Sequence, residues 1–140
     1  MKPTPPCELY IDGASRGNPG PSGVGAVVLV EGQAAPMHEF SKFLGQTTNN
    51  VAEYLALVYG LLEVGRHGYR QVTVKTDSEL LARQMQGRYK VREPHLRLFH
   101  DLAKSLTATF HSFEIEHIPR ERNRLADRLA GQAADSLGLR

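Results

Sequence analysis

The opening segment alternates apolar and polar residues with a period of two. Leu9 and Ile11 alternate with Tyr10 and Asp12, the pattern of a strand with two unlike faces. The stretch Leu9 to Gly20, LYIDGASRGNPG, thus begins as a strand and breaks into a glycine-rich turn. Gly23 to Val30 (GVGAVVLV) is continuously apolar, as expected of a strand buried on both faces. Glu31-Gly32 reads as a turn and Ala35 to Phe43 as a third strand, which completes an antiparallel meander.

The period then changes. Val51, Tyr54, Leu55, Val58, Leu61 and Leu62 recur at helical spacing, and Gly65 and Gly68 end that helix. Gln71 to Thr76 alternates as a fourth strand, followed by a helix from Leu80 to Gln86 that stops at Gly87. Arg88 to Pro94 is a basic connection, and Leu96, Leu98, Phe99, Leu102 and Leu106 carry a third helix. Phe113 and Ile115 mark a fifth strand. After the charged loop Arg120 to Arg124, the stripe Leu125, Ala126, Leu129, Ala130, Ala133 and Leu137 forms a closing helix. Strand–helix–strand units cross over right-handedly, so this order predicts an α/β fold: a five-stranded mixed sheet with helices on both faces. The ends of the first and fourth strands then lie side by side.

Composition narrows the picture without deciding it. A chain of 140 residues is expected to form a single domain over 1–140, with the proline-rich segment 1–6 as a loose arm. The net charge of +2 permits a phosphate-bearing partner and does not demand one. Arginine dominates the basic residues, in clusters around residues 83–97 and 120–128. The single Cys7 excludes an internal disulfide, and no apolar run is long enough to span a membrane or resembles a signal peptide. The expectation is a cytoplasmic protein, monomeric and without membrane contact.

Four carboxylates stand in unusual places. Asp12 lies in the first strand, Glu53 is the only charge between Val51 and Leu62, Asp77 ends the fourth strand, and Asp127 comes early in the last helix. Each has a local explanation. Asp12 could open an Asx turn into Gly13, Glu53 could complete a capping box with Asn50 as N-cap, Asp77 could cap the next helix, and Asp127 could favour the helix dipole behind Asn123. Together they suggest a metal centre. Converging carboxylates raise one another's pKa unless cations neutralise them, and hard oxygen ligands select Mg²⁺ or Mn²⁺.

Set in this order, YIDGASRGNPGPSGVGAVV, TTNNVAEYLAL, VKTDSELLARQM and RNRLADRLA resemble the type 1 ribonuclease H family over nearly the whole chain. The resemblance implies the ribonuclease H-like fold and an endonuclease that hydrolyses the RNA strand of RNA–DNA hybrids by two-metal-ion catalysis, leaving a 3′-hydroxyl and a 5′-phosphate. Asp12, Glu53, Asp77 and Asp127 would hold two Mg²⁺ ions, with Mn²⁺ as a substitute. Asn18, Asn49 and Asn50 match positions that touch the hybrid, Thr48 one that holds a DNA-strand phosphate, and Asn123 one at the metal site. Backbone amides from Gly13 to Gly20 can approach the substrate closely, and an arginine at 120 or 122 could meet the scissile phosphate.

The chain departs from longer members of that family in three ways. No hybrid-binding domain is expected ahead of Cys7, the segment Gly87 to Leu98 is too short for a basic protrusion, and the long histidine-bearing loop before the last aspartate is replaced by HIPRERN. It looks like the short archaeal and bacterial members, some of which also cut double-stranded RNA. His117 lies ten residues before Asp127, where longer members carry a mobile histidine, but it shares a strand parity with Phe113 and Ile115. It is therefore expected in the sheet's edge. Two other readings compete: a non-catalytic module binding hybrids or double-stranded RNA, and another nuclease on the same fold. The first should have lost a carboxylate and the second should lack the GNPG and TNN elements; neither applies to this sequence.

Overall fold

The computed structural model describes residues 4–136. Its strands are β1 (Cys7–Ser15), β2 (Gly20–Val30), β3 (His38–Thr47), β4 (Gln71–Thr76) and β5 (Ser112–His117). Its helices are α1 (Asn49–Arg66), α2 (Glu79–Met85), α3 (Pro94–Thr107) and α4 (Arg124–Asp135), with a 3₁₀ turn at Arg120–Arg122. The sheet order is β3-β2-β1-β4-β5. The first three strands form the antiparallel meander, while β4 runs parallel to β1 and β5 parallel to β4. The expected mixed sheet and its parallel β1–β4 pair are both present.

The two faces of β1 serve different layers. Leu9 and Ile11 are fully buried beneath α1, where a Cβ on Gly60 would come within 2.9 Å of Leu9 and 3.0 Å of Ile11. Glycine at this helical position lets α1 settle close to the sheet. Asp12 belongs to the opposite parity and pairs with Gly25, whose own face lies under α4. Against the sheet α4 buries Ala126, Ala130, Ala133 and Ala134. A Cβ on Gly23 would lie 2.5 Å from the Ala134 nitrogen. Small residues on both sides bring α4 nearly into backbone contact with β2, and this carries Asp127 down to Asp12.

Several boundaries differ from the sequence expectation. β1 runs on to Ser15, paired with β2 throughout, so Asp12 lies within a strand and opens no Asx turn. β2 begins at Gly20 instead of Gly23. β3 starts at His38 rather than Ala35 and continues to Thr47 instead of stopping at Phe43. Ala34 to Met37 is an exposed loop, and Pro36 has no N–H to give a ladder. Leu62, Leu98 and Leu102 are exposed, not core. On α3 the buried stripe is Leu96 and Ala103 with Phe99 and Leu106 packed beside them, and a 3.6-residue period rotates Leu98 and Leu102 away from it. The charged loop contains the 3₁₀ turn. Of the N-terminal arm, Thr4 to Pro6 are exposed, yet the Thr4 hydroxyl donates to the Gly68 carbonyl at 3.3 Å and the Pro6 carbonyl accepts from the Glu31 amide at 3.2 Å. Met1 to Pro3, and Leu137 at the end of the predicted apolar stripe, lie outside the described residues.

Candidate active site

Asp12 is buried at the point where β4 has ended: the β1–β4 ladder stops at Ile11 opposite Thr76, and the next residue on each strand is an aspartate. One carboxylate oxygen from each of Asp12, Glu53 and Asp77 lies within 4.8 Å of the others. Asp127 joins from the first turn of α4, close enough to share a hydrogen bond with Asp12. All four sequence-predicted acids therefore converge.

Neighbouring residues take over the capping roles that Glu53 and Asp77 could have played. Thr48, not Asn50, caps α1, accepting from the Val51 amide at 3.3 Å. Glu53 is thus free to turn to β1, where its Oε1 accepts from the Gly13 amide at 3.0 Å. A side chain on Gly13 would put its Cβ 2.6 Å from the Glu53 nitrogen, so this close approach of strand to helix requires glycine. Ser78, not Asp77, caps α2 by accepting from the Leu81 amide at 3.2 Å, and the buried Thr76 hydroxyl accepts from the Ser78 amide at 3.0 Å. Asn123 stands at the N-cap position of α4 but makes no side-chain cap. Its buried amide Nδ2 instead donates to the Ile11 carbonyl at 2.8 Å and to Asp77 Oδ2 at 3.3 Å.

This packing has an electrostatic cost. Burial, then the charges of Glu53 and Asp77, push the Asp12 carboxyl up to about 10. Burial and Asp77 push Glu53 up to about 8, against the opposing pull of the Gly13 amide. Among the described residues, Arg120 forms an ion pair with one of the four acids, 3.6 Å from Asp127. An all-oxygen set of clustered carboxylates short of compensating cations fits a hard divalent metal ion, which would replace the shared protons.

The acids form one wall of an open cleft of about 690 Å³. Asn49 and Arg120 also line it, whereas Arg122 faces a separate pocket of about 190 Å³ with Tyr10, Leu29 and Pro36. Asn18 accepts from the Asn49 amide at 3.1 Å, holding the GNPG turn against the start of α1, and Asn50 is exposed beside it. His117 pairs with Thr76 in β5, an edge strand, as expected, and is exposed although Ile115 of the same parity is buried. Sequence reading missed Arg16, Arg128, Gln132 and Asp135, which also line the cleft. The last three fall at i, i+4 and i+7 along α4, so their shared face was readable once the helix was assigned.

A five-stranded mixed sheet of this order, with acids meeting at the ends of its first and fourth strands, defines the ribonuclease H-like class of fold. The family model described as "Reverse transcriptase-like" matches residues 10–133. The chain is 43% identical over 128 residues to the Bifunctional protein Rv2228c of Mycobacterium tuberculosis, covering 91% of this chain and 35% of that protein. It is 40% identical over 126 residues to Ribonuclease HI of Halobacterium salinarum, covering 90% and 63% of the two chains. The chain thus spans about a third of the mycobacterial relative's length and under two-thirds of the archaeal one. Among solved structures, the N-terminal RNase H domain of Rv2228c superposes with a TM-score of 0.91 at 40% identity, covering 96% of both chains. LC11-RNase H1 in complex with an RNA/DNA hybrid gives 0.87 at 41% identity, covering 93% and 97%. The chain belongs to the type 1 ribonuclease H family.

Proposed function

We propose that the chain is an endonuclease that cuts the RNA strand of RNA–DNA hybrids, with two divalent cations, Mg²⁺ or Mn²⁺, held by Asp12, Glu53, Asp77 and Asp127. The observation that carries this reading is the convergence of Asp12, Glu53 and Asp77 to within 4.8 Å in the wall of an open cleft. Support comes from its family and from the likeness to a relative solved with a hybrid.

Bound cations would supply charge stabilisation at the attacking and leaving oxygens of the phosphodiester. The protein's own contribution is placement. Asp12, rooted in the central strand, carries the central charge, and Asn123 and the Gly13 amide hold Asp77 and Glu53 in position. Arg120, at the cleft edge beside Asp127, can donate to the scissile phosphate. The turn through Asn18, with Gly13, Thr48, Asn49 and Asn50, faces the duplex. Attack by water forms the new P–O bond and breaks the P–O3′ bond, so the products are a 3′-hydroxyl and a 5′-phosphate. Discrimination against DNA rests on the 2′-hydroxyl. On this reading the chain works as a single monomeric domain in the cytoplasm. Among the described residues no helix is long and apolar enough to cross a membrane.

A substrate panel tests the reading. A labelled RNA–DNA hybrid should yield 5′-phosphorylated RNA fragments, duplex DNA should stay intact, and double-stranded RNA should be cut more slowly than the hybrid. A hybrid left uncut, or cut in its DNA strand, would reject it.

A further inference from the structure

We propose that Arg128 binds a backbone phosphate of the cleaved strand, next to the scissile linkage and distinct from it. The proposal rests on the hybrid-cutting reading and assigns a contact that the sequence motifs do not.

Three arginines line the cleft, and two of them are engaged. Arg16 grips Asp135 with both ends of its fork, Nε to Oδ1 at 2.7 Å and Nη2 to Oδ2 at 3.1 Å, and also donates to the Gly131 carbonyl at 3.3 Å. Arg120 sits 3.6 Å from Asp127. Arg128 is the one of the three whose side chain, among the described residues, has no hydrogen bond or ion pair. It is nevertheless adjacent in sequence to Asp127 and two helical turns from Asp135 on the same face of α4. Those two acids are already engaged by Arg120 and Arg16, so the exposed Arg128 keeps its planar set of donors free for an arriving anion, and the two non-bridging oxygens of a phosphodiester match that fork.

Helix geometry separates this contact from the scissile group. One residue along α4 turns the side chain by roughly 100°, so Arg128 points away from the line on which Asp127 meets the other acids. It points instead toward the face it shares with Gln132, four residues on, which lines the same cleft. A strand whose scissile phosphate lies over the carboxylates must pass along this wall, and the phosphate next to the scissile one meets Arg128. Arg124, one turn earlier, lines the separate Tyr10 pocket and is the natural control.

The test measures hybrid binding in Mg²⁺ between about 50 and 200 mM salt, with every protein carrying Asp12→Asn to prevent cutting. Arg128→Ala should weaken binding roughly fivefold or more, as loss of one charge-assisted hydrogen bond does. It should also reduce the steepness of log K against log[salt] by about 1. Arg124→Ala should alter affinity less than about twofold. A neutral methylphosphonate placed beside the cleavage position, at a 2′-O-methyl nucleotide of the RNA strand, should weaken binding when Arg128 is present and make no difference in Arg128→Ala. If the parent protein binds the hybrid and the two arginine variants behave alike, the phosphate contact is rejected while the hybrid reading stands. If only a DNA-strand substitution distinguishes Arg128 from Ala, the strand assignment is overturned. If the parent protein does not bind the hybrid, the functional reading fails and takes this proposal with it.

Discussion

Asn123 ties Asp77 to the backbone of the central strand: a single amide nitrogen donates to Asp77 Oδ2 at 3.3 Å and to the Ile11 carbonyl at 2.8 Å. The two acceptors flank Asp12, so this one side chain fixes the spacing between the first and fourth strands where the acids meet. The first prediction is that Asn123→Ala lowers stability by about 1–3 kcal/mol, because it removes a buried hydrogen bond to the Ile11 carbonyl and leaves a cavity in its place. It should also weaken Mg²⁺ binding roughly 10- to 100-fold, the usual effect of losing a residue that orients a metal ligand. Thermal melts across a Mg²⁺ titration read both effects. Unchanged metal dependence in a folded Asn123→Ala protein would remove the positioning role.

The second prediction concerns the carboxylates in the metal-free protein. Asp12→Asn should abolish cleavage and still raise the melting temperature in EDTA, because it removes a buried carboxyl that burial and the charges of Glu53 and Asp77 force to hold a proton on folding. Asp77→Asn and Glu53→Gln should also abolish cleavage and keep the fold, with smaller gains. A large fall in melting temperature for all three would show that the acids serve the fold rather than the cleft.

The third prediction follows from linkage. The carboxyl of Asp12 is raised from 3.8 to about 10 and that of Glu53 from 4.5 to about 8. At neutral pH the folded state therefore holds protons that the unfolded state has released. Stability in EDTA should be greatest below pH 4, as far as these two groups are concerned, and should fall as pH rises through neutrality towards 8–10. Mg²⁺ should oppose that fall, and Asp12→Asn should flatten the profile. Melting curves at stepped pH values check this; a metal-free profile that rises from pH 6 to 9 would contradict the assigned shifts.

Much of this site was legible in the sequence, and the limits have a physical cause. Period-two and helical patterns located every strand and α-helix, though not the 3₁₀ turn in the charged loop, and adjacency of β1 and β4 followed from their order, so Asp12 and Asp77 could be paired in advance. Caps were harder to assign, because Thr48, Asn49 and Asn50 are all good cap residues and only the backbone path chooses among them. The Arg16–Asp135 pair joins residues 119 positions apart and exists because α4 closes over the GNPG turn, which no local period records. Leu62, Leu98 and Leu102 show that an apolar residue in a helix need not face the core.

A fourth prediction separates packing from chemistry at Gly13. A methyl group there would meet the backbone at Ala52 and Glu53, with its carbon 2.6 Å from the Glu53 nitrogen. Gly13→Ala should cost about 1–3 kcal/mol through forced separation of β1 and α1. It should lower activity further by moving Glu53 away from the cluster. A Gly13→Ala protein with unaltered melting temperature and turnover would show that the helix moves aside freely.

The fifth prediction ranks the groups around Asp127. His117 is held in an edge strand, so His117→Ala should lower turnover less than about tenfold, where loss of a true general acid or base costs roughly 10²–10⁴. Arg120→Ala should cost more than His117→Ala, and more than Arg122→Ala, since Arg122 faces another pocket. Steady-state rates at saturating Mg²⁺ decide the order; a hundredfold loss confined to His117→Ala would reverse it.

The central claim is that four converging carboxylates form a metal-dependent cutting centre for the RNA strand of a hybrid. Its most direct test is cleavage of an end-labelled RNA–DNA hybrid by the purified protein in EDTA and across a Mg²⁺ titration, with Asp12→Asn alongside. The account predicts no cutting in EDTA, RNA-strand fragments that appear as Mg²⁺ is added, and none from Asp12→Asn at any concentration. Cleavage that persists in EDTA, or survives in Asp12→Asn at the wild-type rate, would contradict it.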